Sequence, residues 1–78
     1  MKLLEQRVPV TARFDGSCVY PLEFVWRGRC WPVQNVIRTW HRFALLEEQV
    51  QVFLVETDSR LAQLSYFPQS GWWRLDKM

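Results

Sequence analysis

The chain has little of the chemistry on which most small enzymes and metal domains depend. Its 78 residues include two cysteines, one histidine, three glycines and four prolines. Two cysteines cannot build a disulfide framework or a four-thiolate zinc site, and the glycines are too scattered to cradle a phosphate. His41 is separated from Cys18 and Cys30 without metal-ligand spacing, so we expect no metal and no cofactor.

Net charge and long apolar runs are equally scarce. The net charge is +2, and no apolar run approaches the roughly 20 residues that cross a bilayer. Glu5 interrupts the opening leucines well short of the roughly 7–15 residues of a signal-peptide core. We therefore expect no signal peptide and no membrane contact. These features predict a cytoplasmic protein, in which Cys18 and Cys30 are reduced thiols.

The length of the chain limits its function. A core built from fewer than roughly 80 residues contributes only a few kcal/mol, which leaves little stability for an elaborate buried active site. One alternative is a nucleophilic Cys30 whose pKa is lowered by the neighbouring Arg29. A packing role for this cysteine is favoured, and we predict that the protein is not an enzyme. Residues 1–78 are interpreted as one domain with frayed ends at 1–6 and 77–78.

The sequence does have a dominant period of two. Apolar and polar residues alternate in six segments separated by turn residues: 8–14, 22–27, 30–37, 51–57, 61–67 and 72–76. Short connections cannot make parallel crossovers. The pattern therefore predicts a mainly β protein, a small antiparallel meander of five to six strands curled into a sheet or small barrel. Residues 39–49 break the alternation and predict one short helix or a long loop.

The hairpin around Gly28 allows a prediction of register. A type II′ turn at Gly28-Arg29 pairs Trp26 with Trp31. A turn at Arg27-Gly28 instead sets Trp26 against Arg29. Register follows the apolar face of a strand, so we favour the first turn, which gives a direct tryptophan pair on one side of the hairpin.

The arginines near the tryptophans carry one functional hypothesis. Twelve aromatic residues are present, and the first 46 residues hold seven basic and three acidic side chains against three and five in the remainder. Arginine beside exposed aromatic rings grips single-stranded nucleic acid through backbone charge and base stacking. The candidate contact residues are Arg27, Arg29, Arg38 and Arg42. The competing interpretation is ordinary alternation, with arginines in solvent and tryptophans in the core.

Two adjacent tryptophans support a second hypothesis. Neighbours on a strand face opposite sides, so if Trp73 packs in the core with Leu75, Trp72 lies on the other face with Arg74. Surplus tryptophan and arginine are typical of binding hot spots, which makes Trp72 and Arg74 candidate partner-binding residues. The alternative to nucleic-acid binding is therefore a structural or protein-interaction domain, with homodimer formation among its forms.

An ordered set of residues extends over most of positions 10–75. It reads Phe24-x-Trp26-Arg27-Gly28-Arg29-x-Trp31-x-Val33, Val36, Trp40, Phe53-x-Val55-Glu56-Thr57, Leu61-x-x-Leu64 and Gly71-x-Trp73-x-Leu75. This pattern resembles an uncharacterised family of small bacterial β domains of unknown function. The family often has tyrosine at the position of Trp31 and a glycine near residues 59 and 60, where this chain departs from it.

The resemblance implies a role but no catalytic residue. Similar domains are appended to the C-terminus of proteins that resemble Y-family translesion DNA polymerases. By analogy, the chain is expected to be a small binding module, accessory to DNA repair or replication through nucleic acid or a DNA-repair protein. The shared tryptophans are expected in one core with the hairpin: Trp26, Trp31, Trp40 and Trp73.

Overall fold

The computed structural model describes residues 1–43 and 48–78, and its regular structure there is entirely β. The strands are β1 (Leu3–Val8), β2 (Val10–Asp15), β3 (Cys18–Trp26), β4 (Arg29–Pro32), β5 (Asn35–Phe43), β6 (Gln49–Glu56), β7 (Leu61–Phe67) and β8 (Trp72–Lys77). They form an antiparallel five-stranded sheet, ordered β1-β8-β7-β6-β5, and an antiparallel three-stranded sheet, ordered β2-β3-β4. The predicted antiparallel β class is confirmed, as two sheets that do not close into a barrel.

The structure has eight strands rather than the five or six predicted. Residues 3–7 add most of β1, which bends into β2, and a second bend divides the predicted strand 30–37 between β4 and β5. Only Pro9 separates β1 from β2, and its carbonyl accepts a hydrogen bond from the Val25 N–H at 3.0 Å. Residues 33–34 separate β4 from β5, and the Gln34 N–H donates to the Glu56 carbonyl at 2.8 Å. Main-chain pairing continues through both bends, so the alternation of side chains does not reveal them.

The segment 39–49, predicted as a short helix or a long loop, is largely strand where the structure describes it. Residues 39–43 complete β5, and Gln49 begins β6. Thr39 lies opposite Phe53, and its hydroxyl donates to the Val52 carbonyl at 2.9 Å. The helix prediction is wrong for residues 39–43 because pairing with a buried strand overrides local propensity. Residues 44–47 lie outside the described residues.

The β3–β4 hairpin adopts the register that the sequence analysis disfavours. Trp26 lies opposite Arg29 and Phe24 opposite Trp31, which makes Arg27-Gly28 the turn. Both turn residues have positive φ, 53° and 73°, as a type I′ turn requires. The two registers differ by two residues, and a shift of two keeps every side chain on the same face. The two registers are therefore distinguished by the conformation of the turn residues and not by which side chains face the core.

The main core lies between the two sheets and is built largely from aromatic side chains. Its buried rings are Phe24, Trp26, Trp31, Phe53 and Trp73. The Phe24 and Trp31 rings stack with centroids 6.4 Å apart, and those of Phe53 and Trp73 lie 5.5 Å apart. Offset and tilted aromatic pairs add to the energy of burial. Aromatic richness is thus largely how a chain this short fills a core.

The chain ends, for which fraying is predicted, pair with each other. β1 lies along β8, and main-chain hydrogen bonds of 2.8 and 3.0 Å join Lys2 and Met78 in both directions. The Met78 side chain is buried in the main core. Strand pairing and apolar contact therefore extend to both ends, where position in the sequence alone predicts none.

Candidate functional site

The side of the five-stranded sheet that faces away from the three-stranded sheet carries a second apolar cluster. Val50, Val52 and Phe67 are buried there, and Trp40 and Trp72 pack against them half-buried. All five residues belong to the five-stranded sheet. We call this surface the outer face. Its arginines are Arg7, Arg38, Arg42 and Arg74.

A pair of stacked aromatic rings, each with an arginine against it, occupies one side of the outer face. The rings of Trp72 and Phe67 are nearly parallel, with centroids 4.4 Å apart. The Arg7 guanidinium lies 5.0 Å from the Trp72 ring centre, and that of Arg74 lies 5.3 Å from the Phe67 ring centre. Stacking engages the flat face of a guanidinium, while its N–H donors lie in the plane of the group. The stack therefore holds Arg7 at a ring without consuming its hydrogen-bond donors.

A buried carboxylate holds one of these cations in place. Asp76 is 3% exposed although it lies on the outer face. It accepts hydrogen bonds from the Ser65 hydroxyl and from the Gln63 amide, the latter at 3.2 Å. The Arg74 Nε donates to the same carboxylate at 2.6 Å. Asp76 thus neutralises Arg74 and is itself fully hydrogen-bonded, as a buried charge must be.

The other outer-face arginines have no such partner. Among residues 1–43 and 48–78, neither Arg7 nor Arg38 nor Arg42 lies within ion-pair distance of an acidic side chain. Arg7 also lies directly opposite Arg74 across β1 and β8, and like charges in that position destabilise a sheet. The outer face therefore carries positive charge that an anion would relieve.

A groove of about 200 Å³ crosses the outer face. Trp40 and Arg42 of β5 line one end, and Leu3 and Glu5 of β1 line the other. Since β1 and β5 are the two edge strands of the sheet, this shared lining means that the sheet curves and that the outer face is concave. Arg38 lies over the Trp40 ring with its guanidinium 5.2 Å from the ring centre.

The hairpin tip, which holds the other two predicted nucleic-acid residues, is a separate place. Arg27 lies over the Trp26 ring at 4.5 Å, and Arg29 lies over the Trp31 ring at 3.9 Å. Both tryptophans belong to the main core, at 9% and 6% exposed, so these arginines cover the end of that core. Arg29 is also 3.6 Å from the Asp58 carboxylate. The four predicted arginines therefore do not share a face.

The outer face instead joins residues from two different hypotheses. Arg38 and Arg42 are predicted for nucleic acid, whereas Trp72 and Arg74 are predicted for a protein partner. The structure places all four on one surface, with Arg42 and Arg74 lining the same groove. The predicted alternation in β8 is confirmed, because its intervening residues point into the main core.

Arg7 is the outer-face arginine that sequence reasoning misses. It lies between residues 1–6, which are predicted to be frayed, and the predicted strand 8–14, so no face is assigned to it. The neighbouring Val8 is buried in the main core, and alternation from Val8 would have placed Arg7 on the opposite face. The alternation from Val8 assigns Arg7 to the outer face only once β1 is known to be a strand of the five-stranded sheet, separate from β2.

Cys30 has an acidic neighbour rather than an activating cation. Its thiol donates a hydrogen bond to the Glu23 carboxylate, and this bond is the largest of the effects that raise the pKa of Cys30 above its usual value. The disfavoured alternative, in which Arg29 lowers the pKa of Cys30, is therefore not supported, and Arg29 stacks on Trp31 instead. A raised pKa reduces the reactive thiolate. In the part of the chain that is described, no three His, Cys, Asp or Glu side chains could hold a metal ion together.

Fold and surface together define a small antiparallel β domain with a concave, basic and aromatic sheet face. Comparison with protein-family models, with curated proteins and with solved structures finds no match for the chain. The described residues contain no helix of the length and apolarity needed to span a membrane. Function must therefore be argued from the surface itself.

Proposed function

We propose that this domain is a small, non-catalytic binding module whose outer face holds single-stranded nucleic acid. The observation that carries the proposal is the gathering of four arginines and two half-buried tryptophans on one open sheet face. Arginine supplies charge and in-plane donors for phosphates, and aromatic rings supply stacking surfaces for bases. A β surface with both properties is a common support for single strands.

The positions of Arg7, Arg38 and Arg42 favour a flexible polymer. Arg7 lies on one edge strand of the five-stranded sheet, and Arg38 and Arg42 lie on the other. A single nucleic-acid strand that crosses the concave face meets arginine at both edges and the half-buried ring of Trp40 in between. The ring of Trp72 is already stacked between Phe67 and Arg7, so only its edge can contact a base. Each arginine can then hold a phosphate while a neighbouring base contacts a ring.

The wider role that we propose is accessory to DNA repair or replication, in the cytoplasm. The resemblance to domains appended to Y-family polymerase-like proteins supports it by analogy. Both cysteines are free and exposed, as a reducing compartment favours.

A second candidate function, protein interaction, has a separate observation in its favour. Several large apolar side chains away from the outer-face cluster are well exposed, among them Phe14 at 61%, Ile37 at 52% and Leu22 at 45%. Exposed apolar side chains mark an interaction site where they form one patch. This candidate includes docking of a partner and homodimer formation, and it does not require nucleic acid.

The proposal is tested with a fluorescent oligothymidylate of about 15 nucleotides, whose anisotropy is followed at low salt. The double variant Arg38→Ala with Arg42→Ala should lose about tenfold or more in affinity. Its plot of log affinity against log salt should flatten by about 1.4, because two phosphate contacts are removed from a single strand.

The matched control removes the same charge from the hairpin tip. Arg27→Ala with Arg29→Ala should leave the affinity within about twofold of the unmodified protein, a change of less than about 0.5 kcal/mol. Equal losses in both double variants would mean that net charge alone matters, and the outer-face proposal would fail. An unmodified protein that does not bind at low salt would remove nucleic acid as a ligand.

A further inference from the structure

The two sheets part on one side of the molecule and leave a cleft of about 500 Å³ between β3 and β5. Residues 17–20, at the start of β3, form one wall. Val36, Thr39 and His41 of β5 form the other. The buried side chain of Phe53 lies at its base, and Tyr20 and Val36 remain 38% and 40% exposed beside it. The cleft is therefore mainly apolar, and Thr39 and His41 add polar groups to the β5 wall.

Both walls are strand edges without a further neighbour in the described chain. β5 is the last strand of its sheet and pairs only with β6. β4 pairs with β3 over residues 23–26, and the Val33 N–H extends this to the Leu22 carbonyl. Residues 18–21 of β3 thus have β2 on one side and no strand on the other. Alternate main-chain groups of an antiparallel strand point away from its partner, so unpaired N–H and C=O groups line both sides of the cleft.

We propose that the cleft takes an extended segment of a partner protein, inserted as an added strand between β3 and β5. An added strand satisfies main-chain donors and acceptors, which gives affinity, while alternate side chains enter the cleft and give specificity. The inserted segment would pair with the free edge of β3 on one side and with that of β5 on the other. It would thereby join the two sheets along the cleft. The free edge of β3, residues 18–21, sets the length of the doubly paired part.

The side chains of β5 determine the chemistry of this segment. Thr39 and His41 face the cleft above Phe53, so inward positions of the segment suit apolar side chains. Arg38 and Arg42 face outward from the same strand. Opposite charges paired across strands stabilise a sheet, and like charges destabilise it. The segment that fits therefore alternates aliphatic and acidic residues.

The same charges disfavour a second copy of this chain as the occupant. Antiparallel pairing of two β5 strands about Trp40 would place Arg38 of each copy against Arg42 of the other. Two like-charge pairs would then form in one short ladder. Such a dimer would also leave the free edge of β3 unpaired, whereas an inserted acidic segment pairs with both walls.

The test uses the capped peptide Val-Glu-Val-Glu-Val-Glu and a ¹⁵N-labelled protein. We expect amide shifts at Val19, Tyr20 and along β5, and binding about tenfold or more tighter than that of Val-Lys-Val-Lys-Val-Lys. Charge reversal by Arg38→Glu with Arg42→Glu should exchange the preference between the two peptides. Methylation of alternate peptide nitrogens removes the N–H donors along one edge of the peptide. The pattern that removes the donors to β3 or β5 should abolish binding, so both alternating patterns are tested.

A thiol at the cleft separates this inference from nucleic-acid binding. Cys18 lines the cleft and is exposed. In a Cys30→Ser background, alkylation of Cys18 with N-ethylmaleimide should block the peptide and leave the oligothymidylate affinity unchanged. Loss of oligonucleotide binding alone would instead count against the outer-face proposal and leave the inserted strand intact.

Three results would overturn the inserted strand. One is shifts confined to the outer face, and another is equal affinity for the acidic and basic peptides. The third is full binding of both methylated peptides, since an added strand must use its main-chain donors. A protein that sediments as a dimer and loses that state on Ile37→Lys would assign the free edge of β5 to a second copy instead.

Discussion

Trp72 and Trp73 are neighbours in one strand, and they illustrate the two faces of the five-stranded sheet. Trp73 is 4% exposed and packs against Phe53 and Tyr66, with ring centroids 5.5 and 4.8 Å away. Trp72 is half-buried and stacks between Phe67 and the guanidinium of Arg7. The inner tryptophan thus contacts aromatic rings, whereas the outer one also contacts a cation.

The difference teaches that the exposure of an aromatic ring and its neighbours together indicate its role. A cation alone is not enough, because Arg27 and Arg29 also lie over Trp26 and Trp31, which are buried in the core. A core needs apolar contact on every side of a ring, and Trp73 has it. A guanidinium over a ring stays hydrated and able to bind an anion. On this basis Trp40 and Trp72 belong with the candidate binding surface, and Trp73 belongs with the core.

The largest effect on this comparison is expected from Trp73→Ala. Truncation of a buried tryptophan costs about 3–5 kcal/mol, which is close to the whole stability that so small a core supplies. The variant should therefore be largely unfolded at 25 °C by far-ultraviolet circular dichroism. Trp73→Phe should retain the fold with a lower urea midpoint, and a fully stable Trp73→Ala would contradict the assignment to the core.

A smaller loss is expected from Trp72→Ala. The change removes one aromatic stack and one cation–π contact at a half-buried site, together about 1–2 kcal/mol. Urea unfolding should give a folded protein with a reduced midpoint and an unchanged slope. If Trp72→Ala destabilised the chain as much as Trp73→Ala, the two faces of the sheet would not differ as described.

A still smaller effect is expected at the hairpin tip. Arg27 has a φ of 53°, where most side chains are strained and asparagine is tolerated. Arg27→Asn should therefore stabilise by a few tenths of a kcal/mol, after loss of its stack on Trp26. Arg29→Asn is the matched control and should give no gain, because Arg29 lies outside the turn. The opposite order in urea unfolding would favour the turn at Gly28-Arg29.

The smallest expected effect concerns thiol reactivity rather than stability. Glu23 raises the pKa of Cys30 by accepting a hydrogen bond from its thiol, so the thiolate forms only at higher pH. Glu23→Gln should lower this pKa and shift the pH profile of Cys30 alkylation by iodoacetamide toward lower pH, measured in a Cys18→Ser background. An unchanged profile would show that Glu23 does not control the thiol.

The sequence is sufficient to predict the strand class and most of the inward and outward alternation. It fails where a shift of two residues changes the partners but not the faces, as in the hairpin at Arg27-Gly28. It also fails at residues 33–34, where a bend divides the alternating segment 30–37 between two sheets. Periodicity contains no information on either point, because both preserve the period of two.

Apart from Arg7, the arginines and Trp72 of the candidate site were predictable as residues, whereas their grouping on one face was not. Arg38 and Arg42 follow from their closeness to Trp40, which is expected in the main core but packs instead in the outer-face cluster. Their association with Trp72 and Arg74 depends on sheet order, since β5 and β8 are separated by β7 and β6. Strand order and curvature are tertiary properties, and the alternation of a single strand cannot specify them.

The most direct test of the account is the indole N–H region of a ¹⁵N-labelled protein titrated with oligothymidylate at low salt. The chain has five tryptophans, and each gives one signal that reports on its own surroundings. The account predicts shifts for Trp40 and Trp72 on the outer face, with Trp26, Trp31 and Trp73 unchanged in the core. Shifts confined to Trp26 and Trp31 would place the ligand at the hairpin tip and contradict the central claim.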